Sequence, residues 1–328
     1  MATRNRKNPT RCASSDSRYS LMEFEQEFPD DEACLQWLWK TRVSPDGEHA
    51  HCPKCNGERS FKRYATNQQR QSWTCVACGH HLHPTAGTIF HKSSTSLHLW
   101  FYAMYMITST RCGISAKQLG RELGVTYKTA WRIFNRIRYS LGDDGSPMSG
   151  KVEMDETFIG GSDENKHLGK RLGAKGHYAG KASVFGMVQR RGESAPRVVA
   201  KVIPTRPKSG DILRHIRHYV MPATTVYTDE ARFYQGLQTM GYRHGHVHHT
   251  ANVYVSGDVH TNTIEGFWSL VKRGISGVYH NVSEKHLQSY LDEYAWRYNH
   301  KKDPRGHFNL LLSRVAHASG AERRSQLS

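Results

Sequence analysis

The chain has 328 residues, with 46 Lys and Arg against 29 Asp and Glu, for a formal net charge of +17. A pI near 9.6 points to a polyanionic partner. No run of 18 apolar residues and no basic amphipathic anchor is present, so nucleic acid is favoured over an anionic membrane. The seven cysteines do not form the pattern of a secreted disulfide framework; four stand as two close pairs, which points to a metal site in a reducing compartment.

In chain order, the first twenty residues are basic and serine-rich but lack the apolar core of a signal sequence, so a basic tail is expected rather than a transit peptide. Residues 21–42 read as two short helices, the second opened by Pro29-Asp30-Asp31-Glu32 and carrying Leu35, Leu38 and Trp39. Next come Cys52-Pro53-Lys54-Cys55 and Cys75-Val76-Ala77-Cys78. Each Cys-x-x-Cys aims two thiolates at one ion, and two such knuckles complete a closed tetrahedral site, so Cys52, Cys55, Cys75 and Cys78 are expected to hold a structural Zn²⁺. Arg59, Lys62, Arg63, Tyr64 and Arg70, with Phe61 and Trp73, lie on the intervening hairpin; DNA contact and a solvated face are equal readings. His80, His81 and His83 read as surface or DNA-facing residues, since four cysteines already fill the site.

Residues 97–139 read as helical throughout, with Leu97, Trp100, Phe101, Met104 and Tyr105 on one buried stripe. Within them 114–138 has helix-turn-helix form. Ser115 and Gln118 suggest a capping box, Gly124 permits the turn, and Thr126 caps the second helix. Its outward residues Tyr127, Lys128, Thr129, Arg132 and Arg136 are placed to enter a major groove of double-stranded DNA, with an ordinary helical hairpin as the plainer reading. Residues 141–150 are a linker.

Beyond the linker the pattern turns to strands. Runs at 152–159, 182–189, 197–203, 225–228 and 243–249 alternate with helices at 212–220 and 233–240, then a helix holding Glu265 and a long final helix over 287–298. The expected result is a mixed central sheet with the first and fourth strands adjacent, which sets Asp155 beside Asp229. The helix is expected to start at Asn262 or Thr263, with Ile264, Phe267, Trp268 and Val271 facing the core and Glu265 and Lys272 on the rim. A capping-box role is the plainer reading of Glu265. Alternation along the first strand puts Glu153 and Asp155 on one face, so pattern alone does not choose between them. Should Glu265 prove only a cap, Glu156 and Glu230 come next as the third acid. His248, His249 and His260 read as surface residues ahead of a proton-transfer role. The basic, glycine-rich stretch 166–181 is either a clamp on a DNA backbone or a solvated loop.

Three stretches carry a resemblance: Val152 to Gly161, Tyr227-Thr228-Asp229, and His260 to Gly274, with Tyr290 to Asn299 as a further match. They resemble the DDE insertion-sequence transposases of the ISXO-like, zinc-ribbon-bearing group, over roughly residues 20 to 312. The resemblance implies an α+β multidomain chain: helices and zinc ribbon over 20–92, a helix-turn-helix region over 93–141, and a ribonuclease-H-like catalytic domain over 151–312. It implies metal-dependent DNA cleavage and strand transfer with Mg²⁺ or Mn²⁺, held by Asp155, Asp229 and Glu265, with Lys272 near the DNA ends. It chooses Asp155 over Glu153, and it implies a homo-oligomeric synaptic complex in the bacterial cytoplasm at the nucleoid. A DNA-binding regulator and a structure-selective nuclease without strand joining are the alternatives.

Overall fold

The computed structural model describes residues 19–317 apart from 65–70, 111, 162–166, 168–179, 193–194, 206, 230, 247–259 and 304–305. The chain divides into two compact units, one of residues 1–111, 116–140 and 301–328, the other of 112–115 and 141–300. The amino-terminal tail, most of the glycine-rich stretch, Arg70, Glu230, His248 and His249 lie outside the described residues.

In the first unit, α1 (Leu21–Glu27) starts at Ser20 with a capping box to Glu23, and α2 (Asp31–Arg42) starts at Asp30, whose carboxylate accepts from the Ala33 amide. A four-stranded antiparallel sheet follows: β1 (His49–Cys52), β2 (Gly57–Tyr64), β3 (Ser72–Cys75) and β4 (His81–Leu82), in that order. Phe61 and Trp73 face inward; Trp73 stacks on Trp39 of α2 at 4.5 Å. These two aromatics of the hairpin are core residues, which corrects both readings of them, DNA contact and a solvated face. Arg63 lies over the Trp73 ring and pairs with Glu32.

The expectation of helix throughout 97–139 is corrected. α3 (Leu97–Ser109) and α4 (Ala116–Leu123) are separate because the chain turns at Gly113, whose φ is +88°, while α4 and α5 (Tyr127–Tyr139) part at Gly124, φ +64°, as the helix-turn-helix reading expects. The α4–α5 turn is close: a Cβ on Gly120 would lie 3.2 Å from the Val125 carbonyl and 3.5 Å from the Ala130 methyl. Thr126 caps α5 by accepting from the Thr129 amide. A helix missed from the sequence, α9 (His307–His317), belongs to this unit, where Phe308 packs among Tyr19, Phe24, Phe28 and Tyr105.

The second unit is built on a five-stranded sheet of β5 (Lys151–Ile159), β6 (Ala182–Gln189), β7 (Arg197–Ile203), β8 (Thr225–Thr228) and β9 (Arg243–His246), ordered β7-β6-β5-β8-β9. β5, β6 and β7 are antiparallel neighbours, while β8 joins β5 and β9 joins β8 in parallel. The first and fourth strands of this sheet are therefore adjacent, as expected. Side chains alternate across the sheet. Val152, Met154 and Phe185 pack with α6 (Ser209–Tyr219) on one face. Ile159, Val184 and Val188 pack with α7 (Asn262–Gly274) and α8 (Glu284–Asn299) on the other. The expected helix at 233–240 is instead two 3₁₀ turns, Arg232–Tyr234 and Gln238–Met240, with Gly236 between them.

Candidate active site and metal centre

The site in the second unit begins where β5 and β8 part. Their parallel pairing runs only from Lys151↔Thr225 to Glu153↔Tyr227. Past that point the next side chains have room to meet. Carboxylate oxygens of Asp155, Glu156 and Asp229 lie within 4.8 Å of one another, each half-buried. Burial, with the charge of Asp229 close by, pushes the Asp155 carboxyl up to about 6. Burial pushes Glu156 up to about 8 although the Tyr234 hydroxyl donates to it, and Asp229 and Asp155 add to the rise. Tyr234 is fully buried, and its own pKa stands well above the ordinary value for the same reason. One oxygen of Asp229 accepts from the Ala231 amide at 3.0 Å, which fixes the carboxylate at the strand end. Three hard oxygen donors that repel one another suit a divalent cation, whose charge removes the repulsion. The cluster could hold such an ion.

The structure separates Glu153 from Asp155, which share a face. Glu153 is wholly buried and works as a clamp. Its carboxylate accepts from the Thr263 and Ile264 amides at 2.8 and 2.9 Å, from the Thr263 hydroxyl at 2.7 Å, and from Arg190 Nε at 2.5 Å. It thus caps α7 from the neighbouring strand, at the positive end of the helix dipole. Arg190 also donates to the His260 carbonyl at 2.7 Å and lies over the Tyr227 ring at 4.5 Å. This one guanidinium links β5, β8 and the start of α7.

The first residue of α7 is Asn262 and its cap position is Thr261, which corrects the expected cap at Asn262 or Thr263; Glu153 supplies the capping acceptor from outside the helix. Glu265 is exposed on the first turn and accepts from the Thr261 hydroxyl at 2.9 Å. It stands outside the tight trio, yet close enough that its charge helps raise Asp155. Lys272 is exposed two turns further on. Trp268 was legible only as a core residue, but its indole N–H donates to Asp155 at 3.1 Å. Gly186, opposite Asp155 on β6, makes room for that ring, since a Cβ there would come within 2.6 Å of Trp268 Cη2. No pattern in the sequence announces this pair.

In the first unit the four cysteines meet. Sγ of Cys52 and Cys78 are 3.6 Å apart, and Sγ of Cys55 and Cys75 are 4.0 Å apart. A tetrahedral ion with bonds of about 2.3 Å sets sulfurs roughly 3.8 Å apart, so the spacing fits. Although burial acts against it, the Cys55 and Lys54 amides and the neighbouring thiols hold the Cys52 thiol down to about 7. His81 bonds Thr74 at 2.9 Å instead of joining the cluster. On α5, Tyr127 and Lys128 are exposed and Thr129 bonds Thr126. Arg132 donates to the Thr95 hydroxyl and Arg136 to the Ile89 carbonyl, so both reach back to the segment before α3.

Residues 147–299, the span holding all these carboxylates, match the ISXO2-like transposase domain. An uncharacterized protein in transposable element ISH50 of Halobacterium salinarum is 31% identical over 256 residues, covering 75% of this chain and 84% of the relative. An uncharacterized transposase-like protein of Haemophilus influenzae is 29% identical over 106 residues, covering 32% of this chain and 84% of the relative. No helix among the described residues is long and apolar enough to cross a membrane.

Proposed function

Because the chain belongs to the ISXO2-like transposase family, we propose that it cuts and joins the ends of an insertion sequence by metal-dependent phosphoryl transfer. The observation that carries this reading is the convergence of Asp155, Glu156 and Asp229 where β5 and β8 diverge. A sheet with three antiparallel strands, extended by two parallel ones on the side of the first, is the arrangement expected of a ribonuclease-H-like core. A Mg²⁺ or Mn²⁺ ion held there would supply the Lewis acidity that phosphoryl transfer to water or a 3′-hydroxyl needs. Asp155 and Asp229 hold the cation, and Glu265, on the adjoining helix turn, completes the set. Trp268 orients Asp155, and Glu153 with Arg190 fixes α7 against the sheet. Lys272 attracts the DNA phosphates.

Cys52, Cys55, Cys75 and Cys78 hold Zn²⁺ and stiffen the ribbon. Tyr127, Lys128 and Thr129 on α5 meet double-stranded DNA directly, while Arg132 and Arg136 brace α5 and contribute positive charge. The working division is 20–92 for ribbon and helices, 93–141 for DNA binding and 151–300 for catalysis, the expected end at 312 being drawn back because α9 packs in the first unit. Two ends cut in concert require a homo-oligomer, and the DNA substrate places the protein at the bacterial nucleoid.

The test uses purified full-length protein, DNA from the flanks of its own gene, a target plasmid and Mg²⁺ or Mn²⁺. Nicked ends and joined products are expected. Asp155→Asn should slow cleavage on the order of 10³-fold, the rate equivalent of several kcal/mol of lost charge stabilisation. It should still bind end DNA in Ca²⁺. Cleavage by Asp155→Asn at the wild-type rate, or no metal-dependent cleavage by the wild type, removes this reading.

A further inference from the structure

A cavity of about 550 Å³ opens beside the carboxylates, within the range of pockets that enclose small ligands. Asp229 and Tyr234 form one wall, and Tyr234 is the residue whose hydroxyl donates to Glu156. The cavity therefore shares a wall with the acid cluster. Leu237, wholly buried, and Ala231 give it an apolar surface. Its polar groups are the amides of Gln235 and Gln238, the Thr239 hydroxyl and the imidazoles of His244 and His246. Among the described residues, neither Lys nor Arg lines it, in a chain whose net charge is +17.

That composition selects the ligand. A phosphate subsite collects cations or converging amide N–H groups. Beyond the Asp229 carboxylate at the wall shared with the acid cluster, the described lining offers neutral groups that donate and accept, over an apolar surface. Gln side chains match the paired donor and acceptor on a base edge. His244 adds a defined edge. Its Nε2 lies 2.9 Å from the Thr228 hydroxyl, which itself donates to the Asp229 carbonyl at 2.8 Å. The hydroxyl proton is thereby used, so His244 Nε2 carries the proton donated to Thr228, and Nδ1 remains an acceptor. Burial, with His246 nearby, lowers the His244 pKa and favours this neutral form.

A phosphodiester lowered onto half-buried carboxylates brings its nucleoside along. We propose that this cavity receives one unpaired nucleobase of the DNA strand whose phosphate lies on Asp155 and Asp229. Taking a base out of the stack costs a few kcal/mol, and a pocket that pairs its edge and covers its face offsets that cost. The assignment rests on the DNA-cleaving role proposed above.

Gly236 supplies the test. A Cβ there would meet nothing nearer than Thr239 Oγ1 at 3.9 Å, and its φ is not positive, so a side chain starts there without backbone strain, at a residue that lines the cavity. End DNA carrying 2-aminopurine, placed singly at each of three nucleotides either side of the cut, is bound to full-length protein in Ca²⁺. Fluorescence should rise severalfold at one position. Gly236→Trp should return that signal to the duplex level and slow cleavage in Mn²⁺ about tenfold, with its melting temperature unchanged. Thr239→Trp, at an exposed lining residue, closes the same cavity should Gly236→Trp fold poorly. If every position stays dark while the wild type cuts, or if the signal survives both tryptophans, the assignment alone is overturned. If the wild type cuts no end DNA in Mn²⁺, the proposed chemistry and this assignment fall together.

Discussion

Cys52 and Cys55 sit on one knuckle and Cys75 and Cys78 on the next, and pairing of β1 to β2 and β2 to β3 is enough to bring the four sulfurs together. Asp155 and Asp229 meet only after β6, β7 and α6 have been laid down between them in the chain. Both clusters are suited to a cation, but the first is short-range and the second long-range. The loop closure needed for the second is costly before contacts repay it. The ribbon has only a small core around Trp39, Phe61 and Trp73, so an ion on its four thiolates would contribute much of its stability. The carboxylates are carried by a sheet that is buried on both faces and can stand without one. A metal can be structural in one place and purely chemical in another, and the size of the surrounding core tells which.

The largest effect that tests this contrast is expected at the ribbon. Cys75→Ser removes one thiolate from a structural site whose apparent binding energy is of order 10 kcal/mol in small zinc domains. Zinc content should fall from one per chain to near zero. The ribbon's amides should lose hydrogen-exchange protection, while those of β5 and β6 keep theirs. Equal loss in both units would mean that the ribbon is not a separate, metal-dependent element.

A smaller effect is expected at the clamp. Glu153→Gln removes the wholly buried charge that meets Arg190 Nε and weakens the cap on α7; breaking such a pair costs about 3–5 kcal/mol. Urea unfolding of the second unit should shift by that amount, with zinc content unchanged. An unchanged midpoint would leave Glu153 as a bystander and put the docking of α7 down to Ile264, Phe267 and Trp268 alone.

The smallest expected effect is a response to pH. Asp155 and Glu156 titrate at about 6 and about 8, both above their ordinary values. Between roughly pH 4 and 8 these two carboxyls hold more protons in the native state than in the unfolded state, so their contribution to stability falls as pH rises. A smaller opposite slope near pH ~6 comes from His215, His244 and His286, whose pKa values burial lowers. In EDTA the melting temperature of the second unit should drop by a few degrees across that window. Mn²⁺ should restore it at the alkaline end, and Asp155→Asn should flatten the slope. The ribbon should respond in the opposite sense, because thiolates bind zinc and acid displaces it. A melting temperature that rises with pH in EDTA would show that these carboxyls are not held near neutrality by burial and mutual repulsion.

Much of this architecture could be read from spacing. The cysteine pairs, the five strand runs and the apolar stripe of α7 are local patterns, and local patterns survive in a sequence. The misreadings have physical causes. Helix was expected across Thr110 to Ser115 because the apolar stripe from Leu97 and the helix-turn-helix pattern from Ile114 nearly adjoin, but Gly113 turns the chain there. A helix at 233–240 was expected from its apolar spacing, yet Gly236 divides it into two 3₁₀ turns. α9 was overlooked because its stripe is completed only by rings from Tyr19, Phe24, Phe28 and Tyr105 far up the chain.

By itself the sequence determined which ligand types this protein carries and on which elements: four thiolates on two knuckles, and acids along one strand, at the end of another and on one helix rim. Residue chemistry and short spacing are properties of the chain alone. Tertiary structure decided how the acids divide their work. It buried Glu153 under the α7 amides, drew Glu156 into the cluster through Tyr234, and left Glu265 exposed beside Thr261. It also let Trp268 reach Asp155 over Gly186. Those assignments depend on where β5 and β8 part and on which helix end lies above them. Such distances are set by packing between segments remote in the chain, and no periodicity records them.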